Sequence, residues 1–121
     1  MDLRKAARRA TVYAEIMEGR EKGVTEDLIA AGEVTIDNCE VITCAGDDGA
    51  SVQRWVFTIV EDKAHFYFAG TVANKVFEEM LKACEGDYTE LYSWFEKNTL
   101  SVKFESGTNK KGQPCTKVKV L

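Results

Sequence analysis

Proline and histidine each occur once in this chain of 121 residues. A single proline excludes a proline-rich linker, and nine glycines are too few for a low-complexity tail. Long hydrophobic runs are missing as well. No stretch reaches the roughly 18 apolar residues that a membrane-spanning helix needs, so no membrane partner is expected. The basic start is not followed by the apolar core of a secretory signal, and four cysteines are no more than a reduced compartment tolerates. A cytoplasmic location follows as the expectation. The chain lacks the glycine-lysine phosphate loop and the three-glycine dinucleotide fingerprint, and no Ser or Cys sits in a recognisable nucleophile motif. No catalytic residue, metal ligand or cofactor is therefore assigned.

What is present suits one self-sufficient domain spanning residues 1–121. Hydrophobic residues make up 45% and aromatics 10%, enough to bury a core and too much for intrinsic disorder. The net charge of −4 conceals a segregation. Residues 24–98 carry fifteen Asp/Glu against five Lys/Arg, whereas residues 99–121 carry five lysines and one glutamate. Residues 1–23 are also net basic, with six Lys/Arg and four Asp/Glu. An acidic body with basic ends is the main compositional signal.

Periodicity divides the chain into elements. Leu3, Ala6, Ala7, Ala10, Tyr13, Ala14 and Met17 recur at helical spacing and predict a helix from Asp2 to Gly19. A short helix follows from Thr25, read as its cap, with Val24 stapled on Ile29 and Gly32 at its end. From Glu33 the period becomes two. Val34 and Ile36 lead through a bend at Asp37 and Asn38 to an extended run over Cys39–Cys44. Val52–Val60 and His65–Phe68 complete a three-stranded meander. Val72, Val76, Phe77, Met80, Leu81 and Cys84 form one apolar helical stripe. Gly86 stops that helix, and Asp87 with Glu90 starts another over Tyr88–Lys97. Two strands close the chain, around Val102 and around Val118. The expected class is α+β: a mainly antiparallel sheet of about five strands against a central helical pair, with an N-terminal helix.

The candidate chemistry is one of binding. Cys39 and Cys44 are five apart, an odd separation that sends two side chains of a straight strand to opposite faces, so they are not read as a metal pair. His65 follows a turn at a strand start, where a surface imidazole is ordinary. The acidic pairs Asp47–Asp48 and Glu61–Asp62 read as solvated turn residues. The basic ends are more informative. Arg4/Arg8 and Lys5/Arg9 are like-charged pairs one helical turn apart, placed where the helix dipole prefers anions, so local physics opposes them and a partner surface would favour them. Lys117 and Lys119 share strand parity, Lys110 and Lys111 extend the adjoining loop, and Lys103 can pair beside them. These nine cations are the expected phosphate contacts, with Trp55 and Tyr67 as aromatics able to stack on bases. The alternative uses the acidic body as a surface that occupies the basic channel of a nucleic-acid enzyme.

The stretches Met17–Lys22, Thr25–Ile29, Val34–Ile36 and Phe66–Gly70, with the closing Lys117–Leu121, resemble small proteins of prophages and integrative elements of Gram-positive gut bacteria. That resemblance implies a mobile-element context, and with no catalytic motif in the chain the expectation is an accessory protein that is not an enzyme. Its implied partners are nucleic acid, a nucleoprotein complex or recombination machinery, or a host-defence nuclease such as a Cas effector inhibited in the anti-CRISPR manner.

Overall fold

The computed structural model describes the backbone of residues 15–45 and 51–121, and the side chains of residues 16–43 and 53–121. Its class is α+β. Among the described residues, six strands and three α-helices run in the order β1 (Glu21–Lys22), α1 (Thr25–Ala31), β2 (Glu33–Ala45), β3 (Ser51–Ile59), β4 (Asp62–Phe68), α2 (Thr71–Ala83), α3 (Tyr88–Lys97), β5 (Leu100–Thr108) and β6 (Pro114–Val120). The strands form one sheet in the spatial order β1-β4-β3-β2-β5-β6. All neighbours are antiparallel except β1 and β4, which pair in parallel, so the sheet is mixed. The expected meander is β2-β3-β4, and α2 and α3 carry the chain from β4 across to β5 on the far side of β2.

Two expectations are corrected at the start of the chain. Asp2 to Ala14 lie outside the described residues, but the helix does not continue to Gly19: Glu15–Met17 form a single 3-10 turn. Gly19, at φ 74°, then redirects the chain into β1. Its two residues are too few to show a period in the sequence. It exists through the pairs Glu21 with His65 and Lys22 with Phe66. Gly23 follows, and a methyl group in place of its hydrogen would meet Cε1 of Tyr67 at 2.3 Å, so only glycine lets the chain lie this close to β4. In α1 the cap residue is Val24, not Thr25, so Val24 does not stand before the cap as a staple residue does, and it is half exposed.

Strand β2 runs without interruption for 13 residues because the bend at Asp37 is a bulge, marked by a register shift between Ile36 and Asn38. The extra residue restores parity. Val34, Ile36 and Cys39 all face the helices despite the odd step between the last two. The first part of β2 pairs with β5, from Glu33 with Lys103 to Ile36 with Leu100, while the remainder pairs with β3.

The helical layer covers one face. Asp87 caps α3, its Oδ1 accepting the N–H of Thr89 at 2.9 Å and of Glu90 at 3.2 Å. Leu91 and Phe95 are buried beneath α3, and the Val41 N–H donates to the Tyr92 hydroxyl, tying α3 to β2. On α2 the apolar stripe divides. Ala73, Phe77 and Leu81 are buried, whereas Val72, Val76 and Met80 remain half exposed beside them. Trp55 and Phe57 rise from the sheet to meet Phe77, and Tyr67 and Phe104 stack against Phe57. Trp55 also donates from Nε1 to Glu78 at 2.9 Å, clamping α2 to β3. On the other face, Ile16 from the 3-10 turn packs with Ile42, Val56 and Phe66 in a smaller cluster.

Phe77 is fully buried, with ring centroids 5.5 Å from Trp55 and 5.9 Å from Phe57. Replacing Phe77 by Ala is expected to cost about 3–5 kcal/mol, read as a lower urea midpoint with an unchanged slope.

Candidate functional site

The closing hairpin places its lysines in two groups. Lys103 pairs with Lys119 and Glu105 with Lys117, so these residues share the sheet face turned away from the helices. Lys117 lies flat because it crosses Gly107, where a Cβ would come within 2.7 Å of its Cε. Acidic neighbours dilute this stripe: Lys103 bridges Glu105 at 3.2 Å, and Glu33 pairs with Lys103 from β2. Lys110 and Lys111 occupy the turn, which Asn109 organises by accepting at Oδ1 from the backbone N–H of Lys111 at 2.9 Å and of Gln113 at 3.0 Å. Both lysines are exposed. Arg4, Lys5, Arg8 and Arg9 lie outside the described residues.

The two aromatics expected to meet bases do not reach the surface. Trp55 and Tyr67 are 1% and 3% exposed, because both point to the helical face and are covered there. A half-buried ring with cations beside it is that of Phe68, at the end of β4. The Arg54 guanidinium sits 4.4 Å and the Lys22 ammonium 5.2 Å from its centroid. Exposed contacts of this kind contribute about 0.5–1 kcal/mol each. Nothing in the sequence brings Lys22 to Phe68. Only the parallel β1–β4 pairing does so.

Between α1, the start of α2 and the hairpin lies a cleft of about 430 Å³. Its apolar lining includes Leu28, Phe57, Phe104 and Val118, and the rings of Phe57 and Phe104 stack at 6.0 Å with 7° between their planes. Thr25, Asn109 and Thr116 add polar groups to the walls, and Gly70 lets bare backbone form one side. A second recess of about 290 Å³ adjoins it through Thr25, Phe68 and Gly70 and is bordered by Lys22 and Arg54, with Glu26 opposing them. Phe57 and Phe104 are buried and form the floor of the cleft, the half-buried Phe68 ring with Lys22 and Arg54 over it stands at the wall, and the turn bearing Lys110 and Lys111 adjoins through Asn109.

Other chemistry-bearing groups are occupied. The Asp62 carboxylate contacts His65 Nδ1 at 2.8 Å and accepts the Tyr67 hydroxyl at 3.3 Å. Asp37, in the bulge, accepts the Thr58 hydroxyl and pairs with Lys63. Glu61 accepts the Thr35 N–H at 2.7 Å, so the Glu61–Asp62 turn is engaged in the fold instead of lying free in solvent. Cys39 is completely buried, and burial pushes its thiol up to about 12, which keeps it an inert apolar side chain. Cys84 and Cys115 are free thiols, and among the described residues no three His, Cys, Asp or Glu side chains cluster as metal ligands would. No protein-family model matches the chain, and no curated protein or solved structure does.

The three carboxylates at this end of the sheet make the fold acid-sensitive. The hydrogen bond with His65 holds Asp62 below the ordinary carboxylate range. Partial burial would raise Asp37, but the Lys63 and Thr58 hydrogen bonds and the Lys63 charge outweigh it. Burial would likewise raise Glu61, and its backbone hydrogen bonds prevail. With folded values depressed, their contribution is complete above the unfolded values near 4 and is lost as pH falls through the folded ones. The melting temperature is expected to drop between about pH 5 and about pH 3. An Asp37→Asn variant, less stable at neutral pH, should lose less over that interval in the same circular-dichroism melts.

Proposed function

We propose that this chain acts by binding, without catalysis, and that its ligand is nucleic acid, free or presented by a nucleoprotein complex. The observation that carries this reading is the half-buried Phe68 ring at the cleft wall, with Lys22 and Arg54 over it, beside the turn in which Asn109 reaches the cleft and Lys110 and Lys111 are exposed. The Phe68 ring offers a stacking face to an unpaired base, and the cations around the cleft suit the phosphates that flank it. The ligand is therefore a single strand. Lys103, Lys117 and Lys119, on the outer sheet face, add electrostatic attraction at longer range, reduced by Glu33 and Glu105. A mobile-element accessory role, as the sequence resemblance implies, accords with such a module.

The test is fluorescence anisotropy with labelled single- and double-stranded DNA and with single-stranded RNA across a salt series. Single strands are expected to bind more tightly than duplex. Replacing Lys110 and Lys111 by Ala should weaken binding and flatten the slope of log affinity against log salt by roughly 1.4, about 0.7 per lost phosphate contact. Arg54→Ala should weaken it further. Unchanged affinity and slope in both variants refute the reading.

A second reading rests on the helical layer. There Glu78, Glu79, Glu85, Asp87, Glu90 and Glu96 are exposed against Lys75, Lys82 and Lys97. Such a surface suits the basic channel of a defence nuclease and would act as its inhibitor. Inhibition of a Cas effector that is lost on replacing Glu90 and Glu96 by Lys, and spared by the Lys110/Lys111 change, would favour this second reading.

A further inference from the structure

We propose that the free edge of β6, together with the apolar groove beside it, binds an extended segment of a partner protein in which apolar and acidic residues alternate. Strand β6 ends the sheet and pairs with β5 alone among the described residues. The Leu121 N–H donates to the Ser101 carbonyl at 2.9 Å. Backbone groups of an antiparallel strand alternate in direction, so Lys117 and Lys119 face β5, while Thr116, Val118 and Val120 turn their N–H and C=O groups to the open side. A row of backbone donors and acceptors is thus available for one more strand.

The side chains around that edge specify what the strand must carry. A groove of about 460 Å³ lies between α2, α3 and the sheet, lined by Val72, Val76, Met80, Trp94, Leu100 and Val120. Trp94 is 38% and Val120 50% exposed, so the groove leaves large apolar surface in water. A strand laid along β6 sends every second side chain toward this groove. The others fall on the outer face beside Lys117 and Lys119, which calls for carboxylates. A second copy of this chain is the poorer occupant. Antiparallel pairing of two β6 strands opposes the lysines of one copy to those of the other, the arrangement by which edge lysines deter self-pairing. At the groove rim Glu79 is bridged by Lys82 at 3.2 Å, so it does not oppose the carboxylates that Lys117 and Lys119 attract.

The proposal stands apart from the nucleic-acid reading and is tested separately. A labelled peptide alternating valine with glutamate, and its counterpart alternating valine with lysine, are titrated with the full chain at low salt. The glutamate peptide is expected to bind at least about tenfold more tightly, and Lys117→Glu combined with Lys119→Glu to reverse the preference. Val120→Pro removes an outward N–H while leaving the β5 ladder whole, and should weaken the peptide by about tenfold. Val76→Asp, on the half-exposed side of α2, should weaken it too, and an unchanged melting temperature shows that both variants remain folded. The Lys110/Lys111 variant should bind the peptide as the parent does, so failure of the cleft reading leaves this one intact. Absence of binding, equal binding of both peptides, or a dimer whose formation excludes the peptide would each overturn it.

Discussion

The aromatic cluster around Phe57 is the contact on which the fold turns. From the centre of β3 its ring reaches Tyr67 of β4 at 5.7 Å, Phe77 of α2 at 5.9 Å and Phe104 of β5 at 6.0 Å. One side chain thereby joins the meander, the helical layer and the closing hairpin. Rings of this size bury far more apolar surface than the aliphatic residues around them, and their offset geometry adds about 0.5–1.5 kcal/mol per pair. Phe57 and Phe104, both buried, also floor the cleft, so the cleft is built directly on the core and is not a separate construction.

The bulge at Asp37 solves a different problem. Strand β2 must pair with β5 along its first part and with β3 along the rest while keeping a single face toward the helices. An extra residue twists and shifts the strand to meet both demands. Asp37, which occupies it, cannot be left unpaired, and Thr58 and Lys63 satisfy its carboxylate. The acid sensitivity of this end of the sheet follows from that need.

Charge in this molecule is organised by layer. Six of the fifteen carboxylates of the acidic body, Glu78, Glu79, Glu85, Asp87, Glu90 and Glu96, lie exposed on or beside α2 and α3, because both helices spend their apolar positions on the sheet. The closing lysines occupy the opposite face and the hairpin turn, where strand alternation and the Asn109 turn place them. The net charge of −4 therefore says little about what any one surface attracts.

The sequence by itself determined the elements whose signals are local: the meander, the α2–α3 pair with its Asp87 cap, the closing strands and the parity of Lys117 and Lys119. Side-chain periods and capping residues act within a few positions, so they are visible one window at a time. The 3-10 turn at Glu15–Met17, the two-residue β1 and its parallel pairing with β4 were decided by the tertiary structure, since that pairing depends on contacts across more than forty positions. That pairing brings Lys22 to Phe68, and the fold of the helices over the sheet is what withdraws Trp55 and Tyr67 from solvent. It also splits the α2 stripe, burying Ala73, Phe77 and Leu81 and leaving Val72, Val76 and Met80 at a groove. Hydrophobic pattern states that a residue prefers burial. Whether enough covering surface exists to bury it is settled only when the layers meet.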